Sequence, residues 1–499
     1  MAANPDVLRI SDDPSRNRVV TLARGDGIGP EITDAVLSVF EAAGTELALE
    51  EVRIGRQAYD SGVSSGIEPA TWESLRRSRV FLKAPVSTPQ GGGYKSVNVT
   101  ARKTLGLFAN VRPCLSYHPF VPSPHPSMDV VIIRENEEDT YAGIEHRATA
   151  EVVQCLKLVS RPGCERVIRY AFDYARAHGR RKVSCLVKDN IMKLTDGLFR
   201  EVFDEIAVDY PDLLAEHRIV DAGAARLAAR PAEFDVIVTP NLYGDILSDI
   251  AAEVSGSIGM AASANIGTDC AMFEAVHGSA PDIAGRDLAN PSGLLLAGVM
   301  MLDHIGQQPA AERIHNAWLR VLELGLHTAD IFRDGKSRRR VGTREFARAV
   351  AGEIGNRPRH LGPVRYSGTR ARVSTAPRPS TRPKPIKDLV GVDVFLDWNE
   401  AGRQPATLAE RLVRLGGESF RLSMITNRGV KVWPDGLPET FCTDHWRCRF
   451  LRRNDSRPIR HGEVESLLAA ISSAGLDYVK TEHLHHFDGR PAYSLGQGE

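Results

Sequence analysis

The stretch RVVTLARGDGIGPEITDAVLSVFEAA, residues 18–43, contains a complete α/β unit. Its first residues, Arg18–Ala23, are mostly β-branched or apolar and predict a strand, while Pro30 marks the first turn of a helix predicted to end at Ala43. The intervening glycines stand at every second position, so the G-x-G-x-x-G spacing of a Rossmann dinucleotide site is absent. The stretch therefore favours a tight glycine turn between strand and helix, and the alternative is a direct contact of this turn with a phosphate.

Strand-like and helix-like runs continue to alternate after this unit. The alternation predicts an α/β protein in which helices cover a sheet. The further predicted strands are Val130–Ile133, Val183–Val187 and Val236–Thr239, and the further predicted helices are Arg161–His178, Asp245–Val254 and Asn290–His304.

The charge balance argues against a protein built mainly to bind nucleic acid or an anionic membrane. Lys plus Arg and Asp plus Glu each number 63 among 499 residues, so the formal net charge is zero, whereas binding to phosphates needs a surplus of basic residues. The longest apolar run, Gly293–Leu302, is too short to span a membrane, and Met1–Ser15 lacks a signal-peptide core. With seven scattered cysteines that fit reduced thiols, we expect a cytoplasmic protein.

A proline-rich segment separates a C-terminal module from the rest of the chain. Residues 361–387 hold five prolines and seven basic residues with no acid, which predicts an extended linker. We interpret its basic residues as those of a solvated spacer and not of a nucleic-acid site. Residues 388–499 predict a small ferredoxin-like α+β module with the order β-α-β-β-α-β. Its predicted elements are Val390–Phe395, Thr407–Leu415, Phe420–Thr426, Gly429–Trp433, Gly462–Ala474 and Asp477–Thr481.

The segment KAPVSTPQGGGYKSVNVTARKTLGLFANVRP, residues 83–113, carries candidate substrate ligands. Three consecutive glycines at 91–93 predict a loop that a ligand can approach closely. The polar candidates that follow are Ser96, Asn98, Arg102, Arg112 and, beyond the segment, Arg134. Each guanidinium can pair with a carboxylate or phosphate, so convergence of three predicts a polyanionic substrate. The alternative is that each arginine forms a separate surface ion pair.

Two aspartates in NLYGDILSDIAA, residues 241–252, are candidate metal ligands. Asp245 and Asp249 are four residues apart and therefore share one face of the predicted helix. Carboxylates so placed repel each other unless a cation lies between them, and oxygen ligands favour Mg²⁺ or Mn²⁺. Asp221 in IVDAG offers a third carboxylate at the end of another strand. The alternative is an exposed polar helix face.

Taken together, several motifs resemble those of the isocitrate and isopropylmalate dehydrogenase family. They are GDGIGPE, GGGYKSVNVTARKTLGLFANVRP, RENEEDTYAGIEH, KDNIMKLTDGLF, NLYGDILSDIAA and ANIGTDCAMFEAVHGSAPDIAG, in that order between residues 18 and 360. The late KTEHLHHFDGRPAYSLGQGE resembles the C-terminal extension of some longer bacterial isocitrate dehydrogenases. The resemblance implies the two-domain fold of that family, with a large domain from 1–113 and 259–360, a small clasp domain at the dimer interface from 114–258, and the C-terminal module.

The same resemblance assigns roles to residues that would not stand out alone. It implies that Tyr141 and Lys188 form an acid–base pair, although by themselves they would be taken for a packed aromatic and a surface charge. The implied substrate ligands are Ser96, Asn98, Arg102, Arg112 and Arg134, and the implied metal ligands are Asp221, Asp245 and Asp249. The implied cofactor contacts are Ser87, Thr88, His277, Gly278, Ser279, Ala280, Pro281, Asp282, Ile283 and Asn290.

The resemblance implies oxidative decarboxylation of isocitrate to 2-oxoglutarate and CO2. Ser96 and Asn98 suit the additional carboxylate of isocitrate and disfavour the alkyl group of isopropylmalate. For the cofactor we predict NAD, because Asp282 and Ile283 replace the lysine and tyrosine of the HGTAPKY loop in NADP-using relatives, and a carboxylate repels the 2′-phosphate. The alternatives are NADP, with Arg286 and Arg333 as candidate phosphate ligands, or a related 2-hydroxy acid such as homoisocitrate or isopropylmalate.

The resemblance also implies a homodimer with a shared active site. Lys188 and Asp221 would come from the second subunit, and the C-terminal module could support a higher oligomer or form an effector site. A regulatory subunit that binds isocitrate without turnover is disfavoured, because the candidate acid–base and metal residues are all present.

Overall fold

The computed structural model describes residues 7–9, 18–89, 93–366, 383–454 and 457–496. These residues form two compact units. The first takes its residues from Met1–Ala142 and Lys157–Pro377, and the second from Gly143–Leu156 and Arg378–Glu499. Gly91, Gly92 and most of the predicted linker lie outside the described residues. Within the described residues, no helix has the length and apolar character needed to cross a membrane.

The secondary structure follows the expected alternation. The helices are α1 (Gly29–Ala42), α2 (Arg56–Asp60), α3 (Pro69–Ser78), α4 (Val97–Thr104), α5 (Arg161–Ala177), α6 (Thr195–Ala207), α7 (Val220–Ala229), α8 (Asn241–Ser255), α9 (Ser292–His304), α10 (Gln308–Glu323), α11 (Thr343–Gly352), α12 (Pro405–Val413) and α13 (His461–Ser473). The strands are β1 (Val7–Arg9), β2 (Arg18–Ala23), β3 (Leu47–Glu51), β4 (Val80–Lys83), β5 (Ala109–Leu115), β6 (Asp129–Glu135), β7 (Glu145–Arg147), β8 (Val153–Cys155), β9 (Lys182–Val187), β10 (Leu214–Ile219), β11 (Val236–Thr239), β12 (Ala262–Ile266), β13 (Ala271–Ala275), β14 (Leu326–His327), β15 (Arg339–Arg340), β16 (Lys387–Asp397), β17 (Phe420–Asn427), β18 (Val430–Trp433), β19 (His445–Arg452), β20 (Asp477–Phe487) and β21 (Arg490–Pro491).

The first unit is built on an 11-stranded sheet with the order β1-β3-β2-β4-β13-β12-β5-β6-β11-β9-β10. Strands β3, β2, β4 and β13 run parallel, as do β6, β11, β9 and β10, and antiparallel pairings of β12 and β5 join the two sets. The expected α/β class is confirmed, and the strand order differs from that of a Rossmann domain.

A row of polar side chains crosses the central strands of this sheet. In the strand register, Lys83 of β4 pairs with Glu274 of β13, Asn265 of β12 with Asn110 of β5, and Asn110 with Arg134 of β6. Register partners on neighbouring strands point to the same face of a sheet. All five side chains are buried.

The glycine turn after β2 connects loops that lie far apart in the chain. The backbone N–H of Asp26 donates to the carbonyl of Pro85, and that of Ile28 donates to the carbonyl of Ser279. Gly27 has a φ of +60°, and a Cβ at this position would lie 2.0 Å from the carbonyl oxygen of Ser279. Glycine is needed both for the conformation and for this close approach.

The second unit contains a six-stranded sheet with the order β18-β17-β19-β16-β20-β21. Helix α12 buries Leu408 and Leu412, and α13 buries Leu467 and Ile471, in one apolar core with Trp446 of β19. All six predicted elements are present, but the chain forms one more core strand, β19, between β18 and α13. The predicted strand at Gly429–Trp433 is present as β18, at the edge of the sheet, whereas β19 was not predicted. In β19 the arginines at 447 and 449 alternate with the apolar residues Trp446, Cys448 and Phe450, which obscured its apolar face.

A short hairpin of β7 and β8 belongs to the second unit, although it lies far from the other strands in sequence. Its turn contacts Asp444, which is 1% exposed. The carboxylate of Asp444 accepts from the hydroxyl of Thr149 at 2.5 Å and from the backbone N–H of Glu151 at 3.3 Å. Arg403 donates to both carboxylate oxygens of Glu151, at 3.0 and 2.6 Å. The sequence-based division placed this hairpin within 114–258, and the remaining boundaries of that division stay predictions.

Candidate active site

Arg134 is the centre of a buried cluster of opposite charges. It lies near the end of β6, and its guanidinium contacts the carboxylate of Asp245. It also donates to the side-chain oxygen of Asn241 at 3.0 and 2.7 Å. Helix α8 can approach this closely because residue 244 is glycine, since a Cβ there would lie 2.5 Å from Cγ of Arg134. The first turns of α8 therefore place a carboxylate against a buried cation.

Tyr141 binds the other oxygen of the same carboxylate. Its hydroxyl donates to Oδ2 of Asp245 at 2.5 Å, and its ring centroid lies 4.9 Å from Cζ of Arg134. Burial, and then the hydrogen bond to Asp245, raises the pKa of Tyr141. Burial alone would raise the pKa of Asp245, but Arg134 and Arg112 hold that pKa below its ordinary value. At neutral pH the pair is a protonated phenol and an ionised carboxylate.

Arg112 of β5 extends the cluster to the second aspartate of α8. Its Nη2 lies 3.4 Å from Oδ1 of Asp245, and its Nη1 lies 3.6 Å from Oδ1 of Asp249. Burial, followed by repulsion from neighbouring guanidinium groups, lowers the pKa of Arg134 to about 9. Burial and the neighbouring guanidinium groups thus oppose the charged form of Arg134 more than Asp245 favours it. The cluster is therefore suited to an anionic ligand.

Helix α4 presents the remaining predicted substrate ligands. Ser96 is its N-cap and accepts from the backbone N–H of Val99 at 3.4 Å. Arg102 donates through Nη2 to Glu274 at 2.8 Å. Within the described residues, Nε of Arg102 and Oδ1 of Asn98 are buried without a hydrogen-bond partner. These residues are four apart on one helix face, so an arriving ligand could satisfy both atoms.

The predicted cofactor residues come together on two loops. The hydroxyls of Ser87 and Ser279 lie 2.8 Å apart, which joins the loop after β4 to the loop after β13. Burial lowers the pKa of His277, so its imidazole is neutral at neutral pH. Nδ2 of Asn290 donates to Asp330 at 2.9 Å, which ties the start of α9 to the segment before Arg333. The other members of these loops are Thr88, Gly278, Ala280, Pro281, Asp282 and Ile283.

Lys188 and Asp221 form a separate pair. Nζ of Lys188 lies 2.7 Å from Oδ1 of Asp221, and this hydrogen bond is the main reason that the pKa of Asp221 is lowered. In the part of the chain that the structure describes, no hydrogen bond or ion pair connects the pair to Asp245 or Asp249. The structure thus brings Tyr141 together with Asp245 and Asp249. Lys188 lies instead with Asp221, the third predicted metal ligand.

The residues at α8 fit a divalent cation in part. Asp245 and Asp249 supply oxygen ligands of the kind that Mg²⁺ and Mn²⁺ take, with the side chain of Asp249 more than half exposed. Across the described ranges, no group of three or more His, Cys, Asp or Glu side chains is arranged to hold a metal within a single chain. A complete site therefore requires ligands from a substrate, from water or from a second copy of the chain.

Three residues of the site, Asn110, Asn265 and Glu274, were not identified from the sequence. Glu274 forms a buried ion pair of 2.8 Å with Lys83, and Asn110 donates to Asn265 at 3.0 Å beside it. All three stand within the quoted motifs, but the resemblance assigned them no role. A signal for them was available, because each is an amide or charged side chain within a mostly apolar strand. Such a side chain is buried and therefore requires a hydrogen-bond partner.

Comparison with known proteins identifies the family. Residues 19–350 match the family model described as isocitrate/isopropylmalate dehydrogenase, and residues 387–499 match that of the bacterial isocitrate dehydrogenase C-terminal domain. The isocitrate dehydrogenase [NADP] of Rickettsia bellii is 51% identical over 96% of this chain and 99% of its own length. The isocitrate dehydrogenase [NADP] of Thermus thermophilus is 43% identical over 97% of this chain and 96% of its own length. A crystal structure of a Thermus thermophilus protein superposes with a TM-score of 0.91 at 42% identity, covering 98% of this chain and 97% of that one.

The chain belongs to the isocitrate and isopropylmalate dehydrogenase family and carries the C-terminal domain found in bacterial isocitrate dehydrogenases. The expected resemblance and fold class are confirmed.

The prediction of NAD as cofactor is wrong. It is overturned by full-length relatives, 43% and 51% identical, that are named NADP enzymes. The prediction gave most weight to Asp282 and Ile283. The same loop carries the exposed guanidinium of Arg286, which lies 3.4 Å from the carbonyl oxygen of Asp282. A single exposed carboxylate with a basic neighbour does not exclude a phosphate.

Proposed function

We propose that the chain is an NADP-dependent isocitrate dehydrogenase that requires Mg²⁺ or Mn²⁺. It oxidises isocitrate with NADP⁺ and releases 2-oxoglutarate, CO2 and NADPH. The observation that carries this proposal is the convergence of Arg112, Arg134 and Tyr141 on the carboxylate of Asp245. Similarity to isocitrate dehydrogenases along nearly the whole chain supports the same reaction.

Substrate binding is assigned to the guanidinium groups and to α4. Arg102, Arg112 and Arg134 are all at least nine-tenths buried, so each charge–charge hydrogen bond to a substrate carboxylate forms in a poorly solvated setting. Ser96 and Asn98 complete the set as hydrogen-bonding groups at the start of α4. Isocitrate has three carboxylates and a hydroxyl, which matches this donor set better than the alkyl side chain of isopropylmalate does.

The acid–base steps are assigned to Tyr141 and Lys188. Hydride leaves C2 for the nicotinamide while the proton of the C2 hydroxyl passes to Lys188. The bond between C3 and its carboxylate then breaks and CO2 leaves. The electron pair of that bond stays on the substrate, which becomes an enolate. The raised pKa of Tyr141 keeps its phenol protonated, so it can donate a proton to C3. A divalent cation at Asp245 and Asp249 would acidify the hydroxyl and stabilise the enolate charge.

We propose that two copies of the chain share each site. Asp221 is exposed and Lys188 is half-buried, so both can contact a second copy of the chain. Exposed apolar side chains lie beside Lys188 and beside the two aspartates of α8. Ile191 and Leu194, beside Lys188, are 68% and 50% exposed, and Ile246, between the two aspartates of α8, is 53% exposed. Burial of these side chains against a second copy would bring Lys188 and Asp221 of one copy to the α8 aspartates of the other. The C-terminal module is proposed to support this assembly.

Recognition of NADP is assigned to Arg286 and Arg333. Both guanidinium groups are exposed, and within the described residues their hydrogen bonds run to backbone carbonyls, at 3.4 Å for Arg286 and at 3.2 and 2.8 Å for Arg333. Asn290 and Asp330 connect the two segments that carry them. Guanidinium groups that are not held by carboxylates remain available to a 2′-phosphate.

The test is the initial rate of the purified full chain with isocitrate and Mg²⁺, using NADP or NAD. We expect kcat/KM to be at least about tenfold higher with NADP, equivalent to about 1.4 kcal/mol in transition-state stabilisation. An Asp245→Asn variant purified in parallel controls for contaminating activity. More efficient turnover of isopropylmalate or homoisocitrate would contradict the substrate assignment, and a preference for NAD would contradict the cofactor assignment.

A further inference from the structure

We infer that Asn110 and Asn265 are positioning residues that hold the arginines of the substrate site in place through a buried hydrogen-bond network. The inference rests on the proposed function, because it concerns how isocitrate would be bound. Neither asparagine is itself a candidate substrate ligand. Their action is through Arg112 on one side and through Glu274 and Arg102 on the other.

The network is continuous from one arginine to the other. Nε of Arg112 donates to Oδ1 of Asn110 at 2.6 Å, and Nδ2 of Asn110 donates to Oδ1 of Asn265 at 3.0 Å. Nδ2 of Asn265 donates to Oε1 of Glu274 at 2.9 Å. The same Oε1 accepts from Nη2 of Arg102 at 2.8 Å. Two substrate-binding cations that lie on different elements are therefore connected by an unbroken chain of hydrogen bonds.

The side chains of this network are buried, which restricts the arrangements that they can adopt. Asn110 and Asn265 are 0% exposed, and Glu274 is 3% exposed. Asn265 uses its full hydrogen-bonding capacity, because Oδ1 also accepts from Asn136 at 3.1 Å and Nδ2 also donates to the carbonyl of Met272 at 3.2 Å. A buried polar group that loses its partner has no water to replace it. The side chains in the row therefore have one favourable arrangement.

That arrangement determines which atoms of the arginines remain for a ligand. Asn110 occupies Nε of Arg112 and leaves its two Nη atoms directed at Ser248, Asp245 and Asp249. Glu274 occupies Nη2 of Arg102 and leaves Nε buried without a partner in the described part of the chain. Each guanidinium thus has one edge held by the network. Holding a charged group in its binding geometry before the ligand arrives reduces the entropy lost on binding.

The competing interpretation is that the amide row only stabilises the sheet. Asn316 of α10 provides a matched control for this interpretation. It is 2% exposed, and its side chain bonds to the backbone of Glu312 and Val364, away from the candidate site residues. Loss of either kind of amide should lower thermal stability. Only loss of the amide of Asn110 or Asn265 should change the affinity for isocitrate.

The experiment compares Asn110→Leu, Asn265→Leu and Asn316→Leu in the full chain. The readouts are the melting temperature, kcat and KM with NADP, and the isocitrate dissociation constant measured by titration calorimetry with Mg²⁺. We expect the dissociation constant to rise about tenfold or more in the first two variants and to stay within about twofold in the third. In an Arg112→Lys background, Asn110→Leu should weaken binding by less than about threefold further, because the guanidinium that Asn110 orients is already absent.

Asn110→Ser is the milder variant if the leucine variants do not fold. Its hydroxyl does not reach Nε of Arg112, and we expect its isocitrate dissociation constant to rise about tenfold, while that of the matched Asn316→Ser variant stays within about twofold of the wild type. Equal effects of Asn110→Leu and Asn316→Leu on isocitrate binding, or equal effects of Asn110→Ser and Asn316→Ser, would overturn the inference. A wild-type protein that neither binds nor oxidises isocitrate would instead overturn the proposed function.

Discussion

The side-chain carboxylate of Asp26 accepts a hydrogen bond of 2.8 Å from the backbone N–H of Ser87. It also accepts from the backbone N–H of Arg56 at 3.1 Å, while the backbone N–H of Asp26 donates to the carbonyl of Pro85 at 2.8 Å. The turn in GDGIGPE therefore also positions a second loop, because its aspartate holds the loop that carries Ser87 and Thr88.

We expect Asp26→Ala to weaken NADP binding more than isocitrate binding. The substitution leaves the N–H groups of Ser87 and Arg56 without their carboxylate acceptor, and hydrogen bonds to charged groups contribute about 1.5–3 kcal/mol each. KM for NADP should rise about tenfold. The exposed Asp34 of α1 serves as control through Asp34→Ala. Equal KM values for NADP in the two variants would contradict the role of Asp26.

Tyr141→Phe should lower kcat by about 10²–10⁴-fold, the range for loss of a general acid or base. The fold should be preserved, because only the hydroxyl that bonds to Asp245 is removed. Since the pKa of Tyr141 is raised, the phenol stays protonated through neutral and mildly alkaline pH, and its ionisation should not limit the wild-type rate there. Steady-state rates between about pH 6 and about pH 9 check both points. A variant that keeps more than about a third of wild-type kcat would contradict the assignment.

Arg333→Ala should reduce kcat/KM for NADP by about 10–100-fold and leave kcat/KM for NAD within about twofold, because only NADP carries the 2′-phosphate. Arg286→Ala should act in the same direction. Arg76 of α3 lies outside both cofactor loops and provides the control variant Arg76→Ala. Parallel loss of efficiency with both cofactors would show that Arg333 supports the loop and does not recognise the phosphate.

The stability contribution of Glu274 should depend on pH. Burial alone would raise the pKa of Glu274, but Lys83 and Arg102 hold it well below its ordinary value. A depressed folded-state pKa stabilises the fold above the unfolded-state pKa of about 4.3, and this stabilisation is lost as the pH falls further. The difference in unfolding free energy between wild type and Glu274→Gln should therefore be largest above about pH 5 and shrink below it. Urea unfolding across this range, with the exposed Glu41→Gln as control, measures the difference; a constant difference would contradict the prediction.

Asp444→Ala should destabilise the second unit. The carboxylate of Asp444 is buried and accepts from Thr149 and from the backbone of Glu151, so the substitution leaves two donors unpaired at a cost of about 1–3 kcal/mol each. The hairpin of β7 and β8 should become more sensitive to proteolysis, since an isolated two-stranded hairpin is marginally stable. Glu439→Ala, at an exposed position, is the control. Unchanged cleavage within residues 143–156 would contradict this account.

Much of the fold and of the candidate site follows from local sequence patterns. The strands Arg18–Ala23 and Val236–Thr239 are predicted correctly at both ends, because a run of β-branched and apolar residues is a local signal. Residue type and spacing also single out Arg112, Arg134, Asp245 and Asp249 as ligand-binding candidates, and the structure brings all four together. Their side chains are recognisable because each lies within a contiguous motif.

Other features depend on segments that are distant in the chain. Asn110 and Asn265 are 155 residues apart and meet only because β5 and β12 are neighbours in one sheet. The hairpin of β7 and β8 meets Asp444 across a separation of 295 residues. Neither contact has a local pattern, since a hydrogen bond between buried side chains depends on strand register and not on sequence spacing. The alternation of strand-like and helix-like runs and the chemistry of the motifs thus predicted an α/β protein with a polyanion-binding cluster, whereas the packing of the sheet placed an amide network behind the arginines of that cluster.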